Sequence, residues 1–462
     1  MIDMLPDNVL LEIFDFYRED RAFHVLVGLI STWRWEALTQ VCRRWRCVIL
    51  GSPRRLDLRI VCTHTTPTRT SLDIWPPFPI SITCWDKGEV DEESVENVIA
   101  AVEHGHDRIS HISIHDITGS ALERLAPAMQ QPLPTLKQFR LVSFGRSGPV
   151  LPETFLGGSA PLLETFQLHG IPFPTLPQFI SSSIHIRFLS VLDIPQSGYI
   201  SPNAMVACLA ALPNLRALTI GFRSPLSRPP QLTPPPRTRI VLPALTQLCL
   251  CGVSEYFEDF VTRIDTPLLN KLHTTFFMDL IFDIPRLRHF ISRAERLEPL
   301  NQASVAFDDR AIWIGSGGIR PRFGFGIRCE RPDWQLSSMV QIFGQQLPLL
   351  SHVEHLHIYP EHRAWMDNPD MDSSLWLELF RLFIAVQSLR VSGKLVPLVA
   401  AALQELSGEK AVEVLPALHS LSLEGPGPVL VPKGIKTFVA ARELSDHPVA
   451  VQIRNNDQSD ND

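Results

Sequence analysis

Pro243-Ala244-Leu245-Thr246-Gln247-Leu248-Cys249-Leu250 is the stretch on which the fold turns. Leu248 and Leu250 alternate with Gln247 and Cys249, a pattern that predicts a short strand burying one face. Cys249 and Cys251 would then share the opposite face. Pro243 opens the phrase. Proline has no N–H to lose and is tolerated at the first residue of a strand, so it is expected there.

The same phrase, Pro-x-Leu-x-x-Leu-x-Leu, recurs through the chain. Pro134-Thr135-Leu136 leads to Phe139 and Leu141, and Pro161-Leu162-Leu163 to Phe166 and Leu168. Pro213-Asn214-Leu215 leads to Leu218 and Ile220, and Pro416-Ala417-Leu418 to Leu421 and Leu423. Weaker copies start at Ile109, Leu189, Leu269, Leu287, Val353 and Val386. From Ile109 the first apolar positions are 109, 136, 163, 189, 215, 245 and 269, at intervals of 27, 27, 26, 26, 30 and 24 residues. A period of about 20–29 residues carrying L-x-x-L-x-L is the signature of leucine-rich repeats. Each such unit exposes its flanks until the next one stacks on it. One core merely rich in Leu-Pro turns would not hold near-equal spacing. The usual Asn after L-x-L is missing: Leu168 is followed by His169-Gly170 and Leu250 by Cys251-Gly252. No asparagine ladder is expected, and the repeats are divergent.

Helices are expected between strands. Residues 202–212 carry Met205, Val206, Leu209 and Leu212 on one stripe. Residues 374–386 carry Leu375, Leu379, Leu382, Phe383 and Val386, and 396–406 carry Val396, Val399, Ala400, Leu403 and Leu406. The proline- and arginine-rich segment 223–239 reads as an exposed loop inside one repeat. Over 295–340 the register is lost. Residues 304–314 and 323–329 read as two strands around Gly315-Ser316-Gly317-Gly318, a hairpin excursion. The polar, acidic tail 455–462 is expected to be disordered.

The chain has 462 residues, 45% hydrophobic and 20% charged, which suits a largely globular protein of more than one structural unit. Its net charge of −7 argues against nucleic-acid binding. The basic group Arg43, Arg44, Arg46, Arg54, Arg55 and Arg59 reads as a solvated face. The 8 cysteines include no C-x-x-C pair and no zinc spacing, so free thiols and a reducing, intracellular setting are expected. No signal peptide or bilayer-spanning run is visible. His352, His355, His357 and His362 form the densest histidine cluster, but His355 and His357 also sit at the outward positions of an ordinary repeat strand. His104, His106, His111 and His115 offer no more. The glycine run at 315–318 lacks the Lys-Ser/Thr ending of a phosphate loop. Glu92-Glu93 reads as a solvated helix start. No nucleophile, base and oxyanion donors come together. No enzyme activity, metal or cofactor is expected; a metal enzyme using His352–His362 is the weakest alternative.

The first fifty residues are of a different kind. Leu5-Pro6-Asp7 sets up a helix start, and Val9, Leu10, Ile13 and Phe14 follow on one face. Leu38, Val41, Cys42 and Trp45 repeat that stripe in a second helix. Trp33 and Trp35 add to the aromatic content here, and Trp75 and Trp85 follow later. So few helices cannot cover that much apolar surface, and small units lean on a partner. Leu5-Pro6, Ile13, Val41-Cys42 and Trp45 resemble the F-box, with a longer stretch between Tyr17 and Trp35 than the common form. The chain as a whole resembles fungal, mainly mushroom-type, F-box proteins with degenerate leucine-rich repeats, which end near a phrase similar to Phe438-Val439-Ala440-Ala441-Arg442 and His447-Pro448-Val449-Ala450-Val451.

The resemblance implies an α+β or α/β solenoid: a helical F-box followed by an irregular leucine-rich-repeat-like domain. The expected layout is an F-box at 1–52, a linker and repeat cap at 53–105, repeats at 106–295, a hairpin insertion at 296–340, repeats at 341–450 and a tail at 451–462. The resemblance also implies an adaptor role. Leu5, Pro6, Leu10, Ile13, Val41, Cys42 and Trp45 would form or support a surface for a Skp-family adaptor and, through it, a cullin. The repeats would hold a target protein for ubiquitin transfer by other subunits. The alternative is an interaction scaffold outside any ligase.

Overall fold

In the computed structural model the proline of each repeat sits in a tight turn before the strand, not at the strand's first residue. The structure describes residues 5–19, 34–52, 58–66, 68–85, 90, 92–145, 148–224, 238–277, 284–308, 310–316, 322–329, 332–344, 349–350, 352–361, 373–406, 410–425 and 430–455. The Leu245 N–H donates to the Leu242 carbonyl (3.3 Å), Leu136 to Leu133 (3.1 Å), Leu215 to Leu212 (3.2 Å) and Leu418 to Leu415 (3.0 Å). Proline is thus the second residue of a β-turn, where its fixed φ is already correct. Two successive N–H groups then share one carbonyl of the preceding repeat. Thr246 and Gln247 both donate to Arg216 (2.8 and 3.0 Å), and His419 and Ser420 to Gln387 (2.9 and 3.1 Å).

The chain divides into two units, Met1–Ile186 and Arg187–Asp462. In the first, strands β1 (Leu58–Val61), β2 (Ile80–Cys84), β3 (Ile109–Ile114), β4 (Gln138–Val142) and β5 (Thr165–His169) pair in sequence order, all parallel. The parallel array therefore already includes 58–84, inside the stretch expected as linker and cap. Strand leucines and phenylalanines face helices or turns on one side. Phe139 stacks on Phe166 at 5.6 Å and meets Phe155 edge-on at 5.4 Å.

The second unit holds β6 (Phe188–Ile194), β7 (Ala217–Phe222), β8 (Ile240–Val241), β9 (Gln247–Gly252), β10 (Ile264–Asp265), β11 (Lys271–Phe277), β12 (Gln302–Phe307), β13 (Ala311–Ser316), β14 (Phe323–Arg328), β15 (His355–Pro360), β16 (Ser388–Ser392), β17 (Ser420–Gly425) and β18 (Ala450–Asn455). β8 and β10 form a small parallel pair. The others run β6-β7-β9-β11-β14-β13-β12-β15-β16-β17-β18.

The 296–340 segment is not an excursion from this array. It is a three-stranded antiparallel meander within it, β14 lying parallel to β11 and β12 parallel to β15. Two reversals return the chain to its first direction, so both flanking strands fit the parallel neighbours. The expected strand 304–314 is broken by a turn in which the Asp308 N–H donates to the Ala311 carbonyl (2.8 Å). Gly315 and Ser316 end β13; Gly317 and Gly318 lie outside the described residues.

Other corrections follow from register. Leu189 pairs with Leu218, so the residue in phase with Leu215 is Ile186. Leu287 opens no strand: it sits in the helix Pro285–Arg293, whose Arg286 and Leu287 N–H groups donate to the buried Glu258 carboxylate at 2.9 and 2.7 Å. The helix expected over 374–386 spans Ser373–Arg381 and buries Trp376, Leu377, Leu379 and Phe380, while Val386 lies in the approach to β16. Pro202–Leu209 and Val396–Gln404 fall where expected. The tail expected from 451 is cut short, because Val451 and Ile453 pair with Leu421 and Leu423 in the last strand. Residues 225–237 of the arginine-rich loop and 456–462 lie outside the described residues. Among the described residues no helix is long and apolar enough to cross a membrane.

Candidate functional site

The helices Asp7–Glu19, Arg34–Val41 and Arg43–Leu50 contain most of the expected docking residues. The single helix expected to run through Val41 and Trp45 is two. Cys42 is extended, and its Sγ accepts from the Trp45 N–H at 3.4 Å, capping a new helix. Leu10, Phe14 and Ile49 are buried together, with Leu5, Leu11, Leu38, Trp45 and Val48 packed against them. Trp45 meets Phe14 edge-on at 4.9 Å and is half-buried. Arg44 ties the ends: it pairs with Asp7 (2.7 Å) and donates to the Leu5 carbonyl.

The expected surface therefore separates into two sets. Leu10 is fully buried and supports from within. Ile13 (45% exposed) and Val41 (59%) face solvent, as does Val9 (36%). Pro6 is exposed and its carbonyl accepts from Val9 and Leu10; Leu5, Cys42 and Trp45 are half-buried. The side chains of Trp33 and Trp35, together with Arg54 and Arg55, lie outside the described residues. Glu92, expected as solvated, pairs with Arg124 (2.6 Å) at the surface.

A second cluster lies on β15–β17, on the face opposite Leu389, Val391, Leu421 and Leu423. Register aligns His357 with Arg390 and Ser422, and Ser392 with Glu424. Ser392 Oγ donates to Glu424 Oε2 (2.7 Å), so it accepts from His357 Nε2 (2.9 Å), which fixes the ring's tautomer. Arg390 Nε lies 2.5 Å from Glu424 Oε1, an ion pair whose N–H does not point along a hydrogen bond. His357 also lies against Tyr359 at 4.8 Å. Burial pushes the Glu424 carboxyl up, but Arg390 and Ser392 outweigh it and hold the group below its usual range. Burial and then the Arg390 charge lower the His357 pKa to about 4, against the pull of Glu424.

This order of bonds does not activate Ser392 as a nucleophile. The Ser392 proton is committed to a carboxylate too acidic to be a useful base. Among the described residues no three His, Cys, Asp or Glu side chains are placed to hold a metal; His362 lies outside them.

The pKa shifts carry a stability prediction. Unfolded, His357 titrates near 6.5, and folded near 4. Between those values the unfolded chain binds a proton the folded chain does not, so stability falls as pH falls through that window. Glu424, depressed in the fold, adds a loss in the same direction at lower pH. The thermal midpoint is expected to drop from neutral pH toward pH 4, and His357→Gln is expected to flatten the upper part of that drop. Melting followed by circular dichroism at stepped pH checks this; identical slopes for the two proteins would contradict it.

No protein-family model matches this chain. No curated protein matches it either. Among solved structures it is similar to the leucine-rich repeat-containing protein LegL7 from Legionella pneumophila, at 11% identity and a TM-score of 0.29, over 86% of this chain and 99% of that one.

Sequence reasoning reached His357 but not Arg390, Ser392, Ser422 or Glu424. Each stands at an ordinary polar position next to a core leucine or valine of its strand. The available signal was alignment by repeat, which puts these positions side by side.

Proposed function

We propose that this chain is an adaptor: its N-terminal helices dock onto a Skp-family protein of a cullin ubiquitin ligase, and its repeats hold the target. One observation carries the reading. The segment that resembles an F-box has a small core of Leu10, Phe14 and Ile49, with Val9, Ile13 and Val41 left in solvent beside it. Isolated exposed aliphatics are common, but three in so short a segment match a face that another subunit covers. Transfer chemistry belongs to the other subunits.

The test is co-purification with a recombinant Skp-family protein. Ile13→Asp combined with Val41→Asp leaves the core untouched. Losing two buried aliphatics at about 1.5 kcal/mol each is expected to weaken docking about a hundredfold. Leu444→Asp, at a 91% exposed position on a distant helix, is expected to change nothing. Equal recovery of all three proteins removes the docking assignment. Recovery of the Skp-family protein without a cullin or ubiquitinated material favours the scaffold outside a ligase.

A further inference from the structure

The strands β11–β18 present an unequal set of charges on the face opposite their core leucines. Among the described strand residues Lys271, Arg328, Arg390 and Arg454 alternate with the core positions, and Glu424 is the one carboxylate that does so. Glu424 has a side chain only 4% exposed and is paired with Arg390. The face therefore shows solvent positive charge, although the chain as a whole is negative.

The same face carries two half-buried aromatic residues about Ala306, which is itself only 6% exposed. Ala306 on β12 pairs with Trp313 on one side and Tyr359 on the other. Neighbouring strands lie about 4.8 Å apart, so the two aromatic residues flank the Ala306 methyl across about 10 Å. The Trp313 ring leans away from it. A Cβ on Gly326 would come within 2.4 Å of the Trp313 ring, so that ring lies over the glycine. Tyr359 lies against His357.

Arg390 stands two strands beyond Ala306 and two residues off its row, because it pairs with His357 and not with Tyr359, so it lies about 12 Å away, or roughly three to four extended residues. Glu424 holds its Nε edge, yet the side chain remains 42% exposed, which leaves the guanidinium fork oriented and accessible. An oriented arginine fork is suited to a carboxylate, by two parallel charge-assisted bonds. Arg454 lies two strands further, two residues along from the row of Arg390, which meets Gln452.

We propose that this face binds an extended acidic peptide, with an apolar side chain packed against the half-buried Trp313 and Tyr359 rings and a carboxylate on Arg390. It deepens the adaptor reading by naming the chemistry of the segment held. A nucleic-acid strand fits less well, because the cations are spread no more than one to a strand and form no continuous basic stripe.

The test uses the full chain and a fluorescein-labelled peptide carrying one phenylalanine and glutamates at every third position beyond it, followed by fluorescence anisotropy. The wild type is expected to bind it saturably and to bind the glutamine version at least about tenfold more weakly. Trp313→Ala is expected to cost about tenfold. Arg390→Ala combined with Glu424→Ala removes the pair together, leaving no lone buried carboxylate, and is expected to cost as much. Arg454→Ala, at an exposed site, tests the line of charge without touching the buried network. The proposal is overturned by equal binding of the glutamate and glutamine peptides, by wild-type binding in all three variants, by the absence of saturable binding, or by tighter binding of a single-stranded oligonucleotide. The Ile13→Asp/Val41→Asp protein is expected to bind the peptide like wild type. Adaptor recovery with no peptide binding would sink this proposal alone; peptide binding without adaptor recovery would sink the docking assignment alone.

Discussion

Replacing Arg442 with alanine is expected to destabilise the second unit by about 3 kcal/mol or more, because two buried carbonyls and one part-buried one lose charged donors at about 1–3 kcal/mol each. Arg442 lies in the last turn of the helix Lys433–Leu444 and is 1% exposed. Its Nη1 donates to the Ala411 carbonyl (3.2 Å), and its Nη2 to those of Pro416 (3.3 Å) and Leu418 (2.9 Å). Ala411 lies in the short helix Lys410–Glu413, and Pro416 and Leu418 lie in the turn that launches β17. The guanidinium also lies 6.0 Å from the Phe438 ring centroid. Burial lowers its pKa, but a guanidinium starts so high that it stays charged. A buried cation is costly, so the net effect depends on which loss is larger. Arg442→Met separates the two. It fills the volume and removes the buried charge, but it supplies no donors. We expect Met to recover only the cavity share of the alanine loss. Denaturant unfolding followed by circular dichroism gives both values, and an alanine protein as stable as wild type would show that water or other donors satisfy the carbonyls.

That arginine also marks the limit of what could be read from sequence. Leu248, Leu250, Leu421 and Leu423 were legible as strand residues because alternation and burial follow one local rule. The prolines were legible as punctuation, but misplaced by a few residues, since Pro243 suits a turn as well as a strand start. The meander was legible only in part: 304–314 and 323–329 read as strands of a hairpin about the glycine run, but the break inside 304–314 and the place of these strands in the array did not show. Val305, Phe307, Ile312, Ile314, Phe325 and Ile327 alternate just as repeat strands do, and which neighbour each one meets is decided far along the chain. The same holds for Glu424, whose partners Arg390, Ser392 and His357 come from other repeats. On the N-terminal helices the apolar stripe was visible. Which half of it turns inward depends on Ile49 and Trp45, so Leu10 and Ile13 looked alike in sequence and differ in burial.

Gly434→Val is the second large effect expected, a loss of about 3 kcal/mol or more, at the upper end of what overpacking costs. Gly434 is near the start of the helix Lys433–Leu444, where that helix meets Val396–Gln404. A Cβ there would lie 2.2 Å from the Ala400 carbonyl oxygen and 2.9 Å from its carbon. The obstacle is backbone, so no side-chain rotation relieves it and the helices must part. Removing a glycine from a helix normally helps by about 0.5–1 kcal/mol, but that gain is too small to offset a main-chain collision and is smaller still near a helix start. Gly434→Ala is expected to lose less than Gly434→Val but to remain below wild type in thermal melting. An alanine protein at or above the wild-type midpoint would show that the contact yields. The displaced helix Val396–Gln404 packs on β16, the strand that carries Arg390 and Ser392 on its other face. A partial shift should therefore weaken binding of the glutamate peptide through Arg390 while leaving unchanged the proposed adaptor docking, which would rest on the first unit.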